Sequence, residues 1–245
     1  MTETITSKSN SRLKELRRLH ERKHRERTGL FIAEGEDMLA AALEHGHVPE
    51  AVYFEPDYDL PAMPAGVEEV PVEHDALASA GSLGSGSRVL GVWRERWADL
   101  QAPSLYLHDV SDPGNVGTIL RAAQAFGAGP VAISPETADP FGPKAVRASM
   151  GAIFAHRVVR AGWDEIPSPG TRIALVPGAG TALRDLTWTG APLFVLGAER
   201  AGLPAEIVAA CDVVAHIPLA AGADSLNVAM TATLCLYEYR ARTDA

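Results

Sequence analysis

The chain has 245 residues, of which 47% are hydrophobic and 22% charged, and its formal net charge is −9 at pH 7. This composition supports a sizeable core and excludes wholesale disorder, and the length suggests one large domain or two small ones. The sequence has no apolar run long enough to span a membrane, no hydrophobic signal segment, and only two cysteines, Cys211 and Cys235. We therefore expect a cytoplasmic protein without a membrane segment or a disulfide framework.

The charge is distributed unevenly along the chain. Residues 1–30, here named the basic arm, carry nine Lys or Arg and four Asp or Glu, whereas residues 31–100 carry three against 14. Because local charge sets the field that a phosphate meets, an acidic protein with a basic arm can bind nucleic acid. A solvated basic helix without a ligand would have the same composition.

Short helices and strands alternate through the first hundred residues. Residues 11–27 form the first predicted helix. Leu13, Leu16 and Leu19 share one narrow face of it. The other predicted helices are 34–45 and 74–80, and the predicted strands are 30–33, 51–54, 70–72 and 89–93. We predict a small α/β domain over residues 1–100.

The remainder of the chain repeats this alternation with stronger signals. The predicted strands are 104–107, 130–133, 154–159, 172–176 and 193–196, and the predicted helices are 115–126, 145–150 and 225–240. Short apolar strands that alternate with helices are typical of a parallel sheet covered on both faces. We predict a second α/β domain over residues 101–245.

One pattern in the basic arm imitates a metal site. Residues 20–24 read His-Glu-Arg-Lys-His and satisfy H-E-x-x-H, the signature of zinc proteases. Eight of the arm's nine basic residues lie from Arg12 to Arg27, and such a cluster repels a dication. We expect no metal here and interpret the segment as a basic helix that faces phosphates.

The usual nucleotide and hydrolase signatures are missing. The chain has no P-loop, no G-x-G-x-x-G after a strand and no G-x-S-x-G elbow. Residues 177–180, Pro-Gly-Ala-Gly, follow a predicted strand, but a lone G-x-G is more often a turn. An NAD-dependent oxidoreductase is therefore disfavoured.

Three polar loops, each after a strand, are the strongest candidates for a site. They cover residues 108–117, 196–203 and 217–228. In open α/β sheets, ligands bind at the carboxyl ends of strands, where such loops converge. The candidate residues are Asn115, Arg121, Glu199, Ser225 and Asn227. The alternative is that these are ordinary Gly-rich connections and that Ser225 only caps the last helix.

With these loops the sequence resembles the SpoU, or TrmH-type, RNA ribose 2′-O-methyltransferases of the SPOUT superfamily. The first motif is Asn-Val-Gly-Thr-Ile-Leu-Arg at residues 115–121. The second is Leu-Gly-Ala-Glu at 196–199 with Gly202-Leu203, and the third is Ile217-Pro218 with Ser-Leu-Asn-Val at 225–228. Residues 12–93 resemble the family's substrate-binding domain, which is similar to ribosomal protein L30e.

The resemblance implies a fold and a cofactor. The carboxy-terminal domain would be a SPOUT α/β domain with a deep trefoil knot, and it would bind S-adenosyl-L-methionine. The implied cofactor contacts are Leu196, Gly197, Ile217 and Leu226, with Gly197 offering no side chain to obstruct the ligand. Members are usually homodimers. Ala229, Ala232, Thr233 and Leu236 could form the dimer face, or could be buried within the chain.

The resemblance also implies a reaction, the transfer of a methyl group to a ribose 2′-oxygen. Arg121 would be a cation that holds a phosphate and stabilises the developing alkoxide, with a role as base the alternative. Asn115, Ser225 and Asn227 would orient the ribose and the loops. Glu199 would fix a loop or the substrate, unless it is a purely structural carboxylate.

The expected partner is RNA, bound through phosphate contacts of the basic arm. The residues proposed for this contact are Arg12, Arg17, Arg18, Arg22, Lys23 and Arg25. Only five residues follow Arg240, without the basic extension of many tRNA-acting relatives, so 23S rRNA is favoured over tRNA. A non-catalytic RNA-binding module and methylation of a base remain alternatives.

Overall fold

The computed structural model describes residues 3–82, 86–167 and 170–243, which belong to two compact units. The first unit comprises Met1–Arg96 and Asp139–Ala155, and the second comprises Trp97–Ala138 and His156–Ala245. Both units are α/β, as the sequence predicted. No helix in the described ranges has the length and apolar character needed to cross a membrane.

The elements alternate in chain order. Up to residue 100 they are α1 (Ser11–Arg18), α2 (Arg22–Thr28), β1 (Leu30–Glu34), α3 (Glu36–Glu44), β2 (Ala51–Phe54), β3 (Glu68–Pro71), α4 (His74–Ala78) and β4 (Val89–Arg94). Beyond it they are β5 (Leu105–Leu107), α5 (Pro113–Ala125), β6 (Val131–Ile133), α6 (Pro143–Ser149), α7 (Ala152–Ala155), β7 (Val158–Arg160), β8 (Arg172–Leu175), β9 (Thr181–Ala182), β10 (Leu193–Leu196), α8 (Ala205–Ala209), β11 (Val213–His216) and α9 (Val228–Thr243).

The basic arm folds as two helices, where the sequence predicted one over residues 11–27. A turn separates α1 from α2. In a continuous helix the Leu19 carbonyl would accept a backbone N–H, but here it accepts a hydrogen bond from Arg25 Nη1 at 2.7 Å. The His20 ring bonds the Ala80 carbonyl at 2.9 Å. These tertiary contacts hold the turn, and helical spacing alone could not reveal them.

The sheet of the first unit has the order β1-β4-β2-β3, with β4 antiparallel to β1 and β2. Successive side chains of a strand point to opposite faces. On one face Ile32 joins the core that contains Leu13 and Leu16 of α1. On the other, Phe31 and Trp93 form an aromatic cluster, and the ring of Trp93 occupies the space that a side chain on Gly91 would need.

Residues 139–155 complete this aromatic cluster, although chain order alone assigned them to the domain over residues 101–245. The ring centroids of Phe141 and Phe154 lie 5.0 and 5.9 Å from that of Phe31. Phe154 also lies 4.9 Å from Trp93. The segment therefore buries its aromatic side chains in the first unit while interrupting the second in sequence.

A buried ion pair ties the same segment to the basic arm. Arg25 donates to Asp139 Oδ2 from Nε at 2.9 Å and from Nη2 at 2.6 Å. Only 4% of the Arg25 side chain and 8% of the Asp139 side chain are exposed. Because Arg25 is buried and its guanidinium is engaged, its prediction as an RNA contact is corrected.

The second unit contains a seven-stranded sheet with the order β7-β6-β5-β10-β8-β11-β9 among the described strands, and every pair is parallel. All residues of β5, β6 and β10 are buried, as expected for a sheet covered on both faces. The order places β5, β10, β8 and β11 side by side, so that the loops after their carboxyl ends meet. The trefoil knot implied by the resemblance stays a prediction.

Two element predictions in this half missed a boundary by three residues or more. The strand predicted over residues 154–159 begins only at Val158, because Phe154 is helical and packs in the first unit. The helix predicted from residue 225 begins at Val228. Asn227, and not Ser225, caps it, since Asn227 Oδ1 accepts the N–H of Ala229 at 2.8 Å and that of Met230 at 3.3 Å.

Candidate functional site

A cleft of about 1010 Å³ opens in the second unit, at the carboxyl ends of adjacent strands. Its walls come from the loops after β8, β10 and β11 and from the start of α9. This is the edge of the sheet where open α/β folds bind ligands. The lining residues are 175–177, 179–180, 196–203, 205, 208–209, 214, 216–217, 219, 225–228 and 231.

Most of the residues proposed from the sequence line this cleft. All four proposed cofactor contacts, Leu196, Gly197, Ile217 and Leu226, belong to the lining. Of the five proposed catalytic residues, Glu199, Ser225 and Asn227 also line it, whereas Asn115 and Arg121 do not.

The carboxylate of Glu199 joins the first motif loop to the second. Its Oε2 accepts the N–H and the hydroxyl of Ser111 at 3.1 and 3.2 Å. Its Oε1 accepts the Asp112 N–H at 3.2 Å and Asn115 Nδ2 at 2.9 Å. A carboxylate that accepts several donors is held in one orientation, so Glu199 fixes where the two loops meet.

Asn115 extends this network to the third motif. Its Oδ1 accepts a hydrogen bond from Asn227 Nδ2 at 3.0 Å, and Asn227 Oδ1 caps α9. The series of hydrogen bonds begins at the Glu199 carboxylate and ends at the Ala229 N–H. Because an ionised carboxylate can only accept and a backbone N–H can only donate, these two ends fix the orientation of both side-chain amides. Glu199, Asn115 and Asn227 therefore bind the three motif loops to one another and to the start of α9.

The network also controls the ionisation of Glu199. Burial raises the pKa of this carboxyl, but the hydrogen bonds from Asn115 and from the Ser111 and Asp112 N–H groups outweigh burial and leave the pKa below its ordinary value. The side chain is accordingly an anion at neutral pH, and it serves as an acceptor and not as a proton donor.

Gly197 is required for a different reason from the one proposed. A Cβ at this position would lie 2.2 Å from the carbonyl carbon of Gly202 and 2.5 Å from the Leu203 nitrogen. The missing side chain thus makes room for the chain's own backbone, where the loop turns back on itself, and not directly for a ligand.

The loop after β8 is a wall of the cleft that sequence reasoning missed. Pro177, Ala179 and Gly180 line it, and the Ala179 carbonyl contacts His216 Nδ1 at 3.1 Å. The available signal was the Pro-Gly-Ala-Gly run after a strand, which was interpreted as an ordinary turn. The order of the strands, with β8 between β10 and β11, is what brings this loop to the cleft.

Arg121 lies on the exposed face of α5, six residues after Asn115. This separation is about 9 Å along a helix axis. Within the described ranges its guanidinium has no hydrogen-bonding or ion-pair partner, and it can therefore bind an external anion.

Most arginines proposed for RNA binding have acidic neighbours. Arg12 contacts Glu68 at 2.6 Å, Arg18 contacts Glu15 at 2.6 Å, and Arg22 contacts Glu26 at 2.8 Å. Arg17 instead donates to the Lys8 carbonyl at 2.9 Å and to the Ser79 hydroxyl at 3.3 Å. Lys23 is exposed. Exposed ion pairs contribute little energy, so these cations can exchange partners for phosphates.

The two histidines of the H-E-x-x-H pattern do not face a common point. His20 bonds the Ala80 carbonyl, whereas the ring of His24 lies between Arg27 at 2.9 Å and Glu15 at 3.4 Å. The described part of the chain contains no group of three His, Cys, Asp or Glu side chains placed to hold a metal ion.

Two family models match the chain. The model described as the SpoU rRNA Methylase family matches residues 103–237, and the model of the MRM3-like substrate binding domain matches residues 10–89. The first covers more than half of the chain and contains all three motif loops.

Similar proteins extend over nearly the full length. The 23S rRNA (guanosine(2553)-2′-O)-methyltransferase RlmP of Bacillus subtilis is 28% identical over 96% of this chain and 98% of its own. The 23S rRNA (uridine(2479)-2′-O)-methyltransferase of Streptomyces viridochromogenes is 29% identical over 90% of this chain and 85% of its own length. The crystal structure of the AdoMet-bound rRNA methyltransferase of Sinorhizobium meliloti matches with a TM-score of 0.87 at 29% identity, over 98% of both chains.

Proposed function

The chain belongs to the SpoU rRNA methylase family, and we propose that it transfers a methyl group from S-adenosyl-L-methionine to a ribose 2′-hydroxyl of 23S rRNA. The observation that carries this proposal is the hydrogen-bond network of Glu199, Asn115 and Asn227, which unites the three motif loops beside one cleft. Relatives named as 23S rRNA 2′-O-methyltransferases support the substrate, and an AdoMet-bound neighbour supports the cofactor. A 23S rRNA substrate would place the reaction where ribosomes are assembled, which favours the cytoplasm.

The cleft fits the proposed cofactor in size and in chemistry. Its volume of about 1010 Å³ is at the upper end for ligand sites, which run to about 1,000 Å³. Its walls combine apolar side chains, such as Val176, Leu203 and Val228, with loop backbone. Leu196, Gly197, Ile217 and Leu226 would hold the cofactor, which when bound supplies an electrophilic methyl group on a sulfonium.

The protein's own residues orient the nucleophile and stabilise charge. The hydroxyl of Ser225 is exposed at the cleft and can accept or donate a hydrogen bond to the ribose. Glu199, Asn115 and Asn227 act on the loops that carry it. A ribose hydroxyl becomes a good nucleophile as its proton passes to solvent water at the exposed side of the cleft, and we propose that the Arg121 cation stabilises the oxyanion that develops.

The first unit would hold the RNA. It contains the residues that match a substrate-binding domain model. Arg12, Arg17, Arg18, Arg22 and Lys23 would contact phosphates, which position a substrate without reading its sequence. Arg25 is left out, because Asp139 holds it inside the unit.

Asn115→Asp is expected to reduce methyl transfer by about 10²-fold, since misplaced catalytic loops cost about this much. The substitution keeps the shape of the side chain, removes the donor to Glu199 Oε1 and sets two carboxylates side by side. Such a pair raises the pKa of one member, and the shared proton restores a hydrogen bond. The deficit relative to wild type should therefore be smaller at pH 5.5 than at pH 8, in single-turnover rates of methyl transfer.

Gln124→Glu, on the same helix, is the matched control. A deficit independent of pH would contradict this explanation.

We also propose that the protein is a homodimer, with a dimer face different from the one first considered. Of the four residues first considered, Ala229, Ala232 and Leu236 are buried within the chain and Thr233 is half-buried, so they form an intrachain face. Met230, Leu234 and Tyr237 are exposed on another side of α9, at the spacing of one helical stripe. A second copy of the chain, paired along α9, would cover these apolar side chains.

Leu234→Glu is therefore expected to shift the protein from dimer to monomer, because a carboxylate at the centre of an apolar contact would lose its hydration. Light scattering after size exclusion at micromolar concentration measures the change. Thr243→Glu adds the same charge at an exposed position on the opposite side of α9 and should leave the mass unchanged. A wild-type protein that is monomeric at these concentrations would overturn the proposal.

The proposed reaction is tested with labelled S-adenosyl-L-methionine and with bacterial 23S rRNA and tRNA as separate substrates. Products are digested to nucleosides and identified by mass spectrometry. Label on a 2′-O-methyl nucleoside from 23S rRNA supports the proposal. Label in tRNA would overturn the proposed substrate, and label on a methylated base would overturn the proposed site of methylation. Binding of RNA without binding of the cofactor would identify a non-catalytic RNA-binding module.

A further inference from the structure

A single arginine lies in the wall of the cleft. Arg200 lines it and is exposed, and it is the one Lys or Arg among the described residues of the lining. Its neighbour Glu199 is the one acidic residue of that lining. We propose that Arg200 binds a backbone phosphate of the RNA substrate and thereby positions the target nucleotide over the cleft; this inference rests on the proposed function.

Arg200 has no competing partner in the part of the chain that the structure describes. The two oxygens of Glu199 already accept four hydrogen bonds from Ser111, Asp112 and Asn115. No hydrogen bond or ion pair joins the Arg200 guanidinium to any residue in the described ranges. An arginine without a carboxylate partner has its planar set of donors available, and these donors match a phosphate in two places at once.

The loop that carries Arg200 is held rigidly. The N–H of Gly202 donates to the Ala198 carbonyl at 2.9 Å and closes a tight turn, and Gly202 adopts a φ of 69° that favours glycine. At the start of this loop the backbone of Gly197 packs against that of Gly202. Glu199, also in the loop, accepts a hydrogen bond from the first motif loop. Because the turn is ordered before the ligand arrives, less conformational entropy is lost on binding.

The rim position of Arg200 favours RNA over the carboxylate of the cofactor. Leu196 is buried, and Gly197, Ile217 and Leu226 are half-buried, whereas Arg200 is exposed to solvent. A ligand held by the deeper residues leaves the rim to a second, larger ligand. We therefore assign the exposed Arg200 cation to the RNA, which is the polyanion that carries the reacting hydroxyl.

The test measures RNA binding and cofactor binding separately in Arg200→Gln. With 23S rRNA transcribed in vitro as the probe, we expect affinity to fall about tenfold at low salt, as for the loss of one charged hydrogen-bonded contact. The slope of log affinity against log salt should become shallower by about 0.7 to 0.9, the value for one phosphate. Affinity for S-adenosyl-L-methionine, measured by calorimetry, should not change. Arg200→Lys should retain the salt slope and recover only part of the affinity.

Arg184→Gln, which removes an exposed arginine outside the cleft lining, is the matched control and should have no effect. An unchanged salt slope in Arg200→Gln would overturn the inference. So would a loss of cofactor affinity with RNA binding intact, which would assign Arg200 to the cofactor carboxylate. These binding measurements do not depend on catalysis. An absence of methyl transfer by the wild type would therefore refute the proposed function and leave the result on Arg200 readable.

Discussion

Arg121→Ala is expected to lower the rate constant of methyl transfer by about 10²- to 10³-fold, the range seen when one group that stabilises an oxyanion is removed. Affinity for S-adenosyl-L-methionine should stay the same. Arg121 is not part of the cleft lining that would hold the cofactor. Its side chain has no partner in the described ranges, so its removal breaks no hydrogen bond among the motif loops.

The lysine variant distinguishes the two roles proposed for Arg121. A lysine retains the positive charge but loses the planar fork, so Arg121→Lys should recover part of the rate if the charge stabilises the alkoxide. If the arginine instead removed the proton as a base, the lysine variant should move the pH dependence of the rate. Gln124→Ala, one turn later on the exposed face of α5, controls for changes in the helix. Full activity in Arg121→Ala would remove Arg121 from the mechanism.

The alternation of short apolar strands with helices made much of the second unit predictable. Strands such as β5, β6 and β10 are short apolar runs with every residue buried, and this pattern predicts parallel, doubly covered strands from sequence alone. The rule that ligands lie at carboxyl ends of strands then placed the motif loops together. The lateral order of the strands was not predictable in this way, and so the loop at residues 177–180 was missed.

Predictions about single residues were less reliable, because contacts with residues distant in the sequence determine what surrounds a side chain. Gly197 was expected to admit a ligand, but the backbone of Gly202 occupies the space beside it. Arg25 has the same local sequence character as Arg22, yet one is buried and the other exposed. The difference lies in Asp139, which is 114 residues away and which no helical periodicity relates to the arm.

This buried pair carries the second large expected effect. Arg25→Met should lower the free energy of unfolding by about 3 to 5 kcal/mol, because it leaves the Asp139 carboxylate buried without its cation. The Leu19 carbonyl loses its donor at the same time, so the turn between α1 and α2 should loosen. Urea unfolding followed by tryptophan fluorescence measures the change, since Trp93 is buried in the aromatic cluster of the same unit. Arg18→Met, which breaks an exposed pair with Glu15, should cost less than about 1 kcal/mol.

The double variant separates the cost of an unpaired charge from the value of the pair itself. In Arg25→Met with Asp139→Asn no charge is left buried, and the asparagine oxygen can still accept the Phe141 N–H, which Asp139 Oδ1 accepts at 2.9 Å. Replacing a buried pair by neutral groups is often close to neutral, so the double variant should regain at least half of the stability lost in Arg25→Met. If the two losses simply add, the pair is not coupled and the segment at residues 139–155 is held by its other contacts. Recovery in the double variant would instead show that the ion pair acts as one unit, whose two members must be present or absent together.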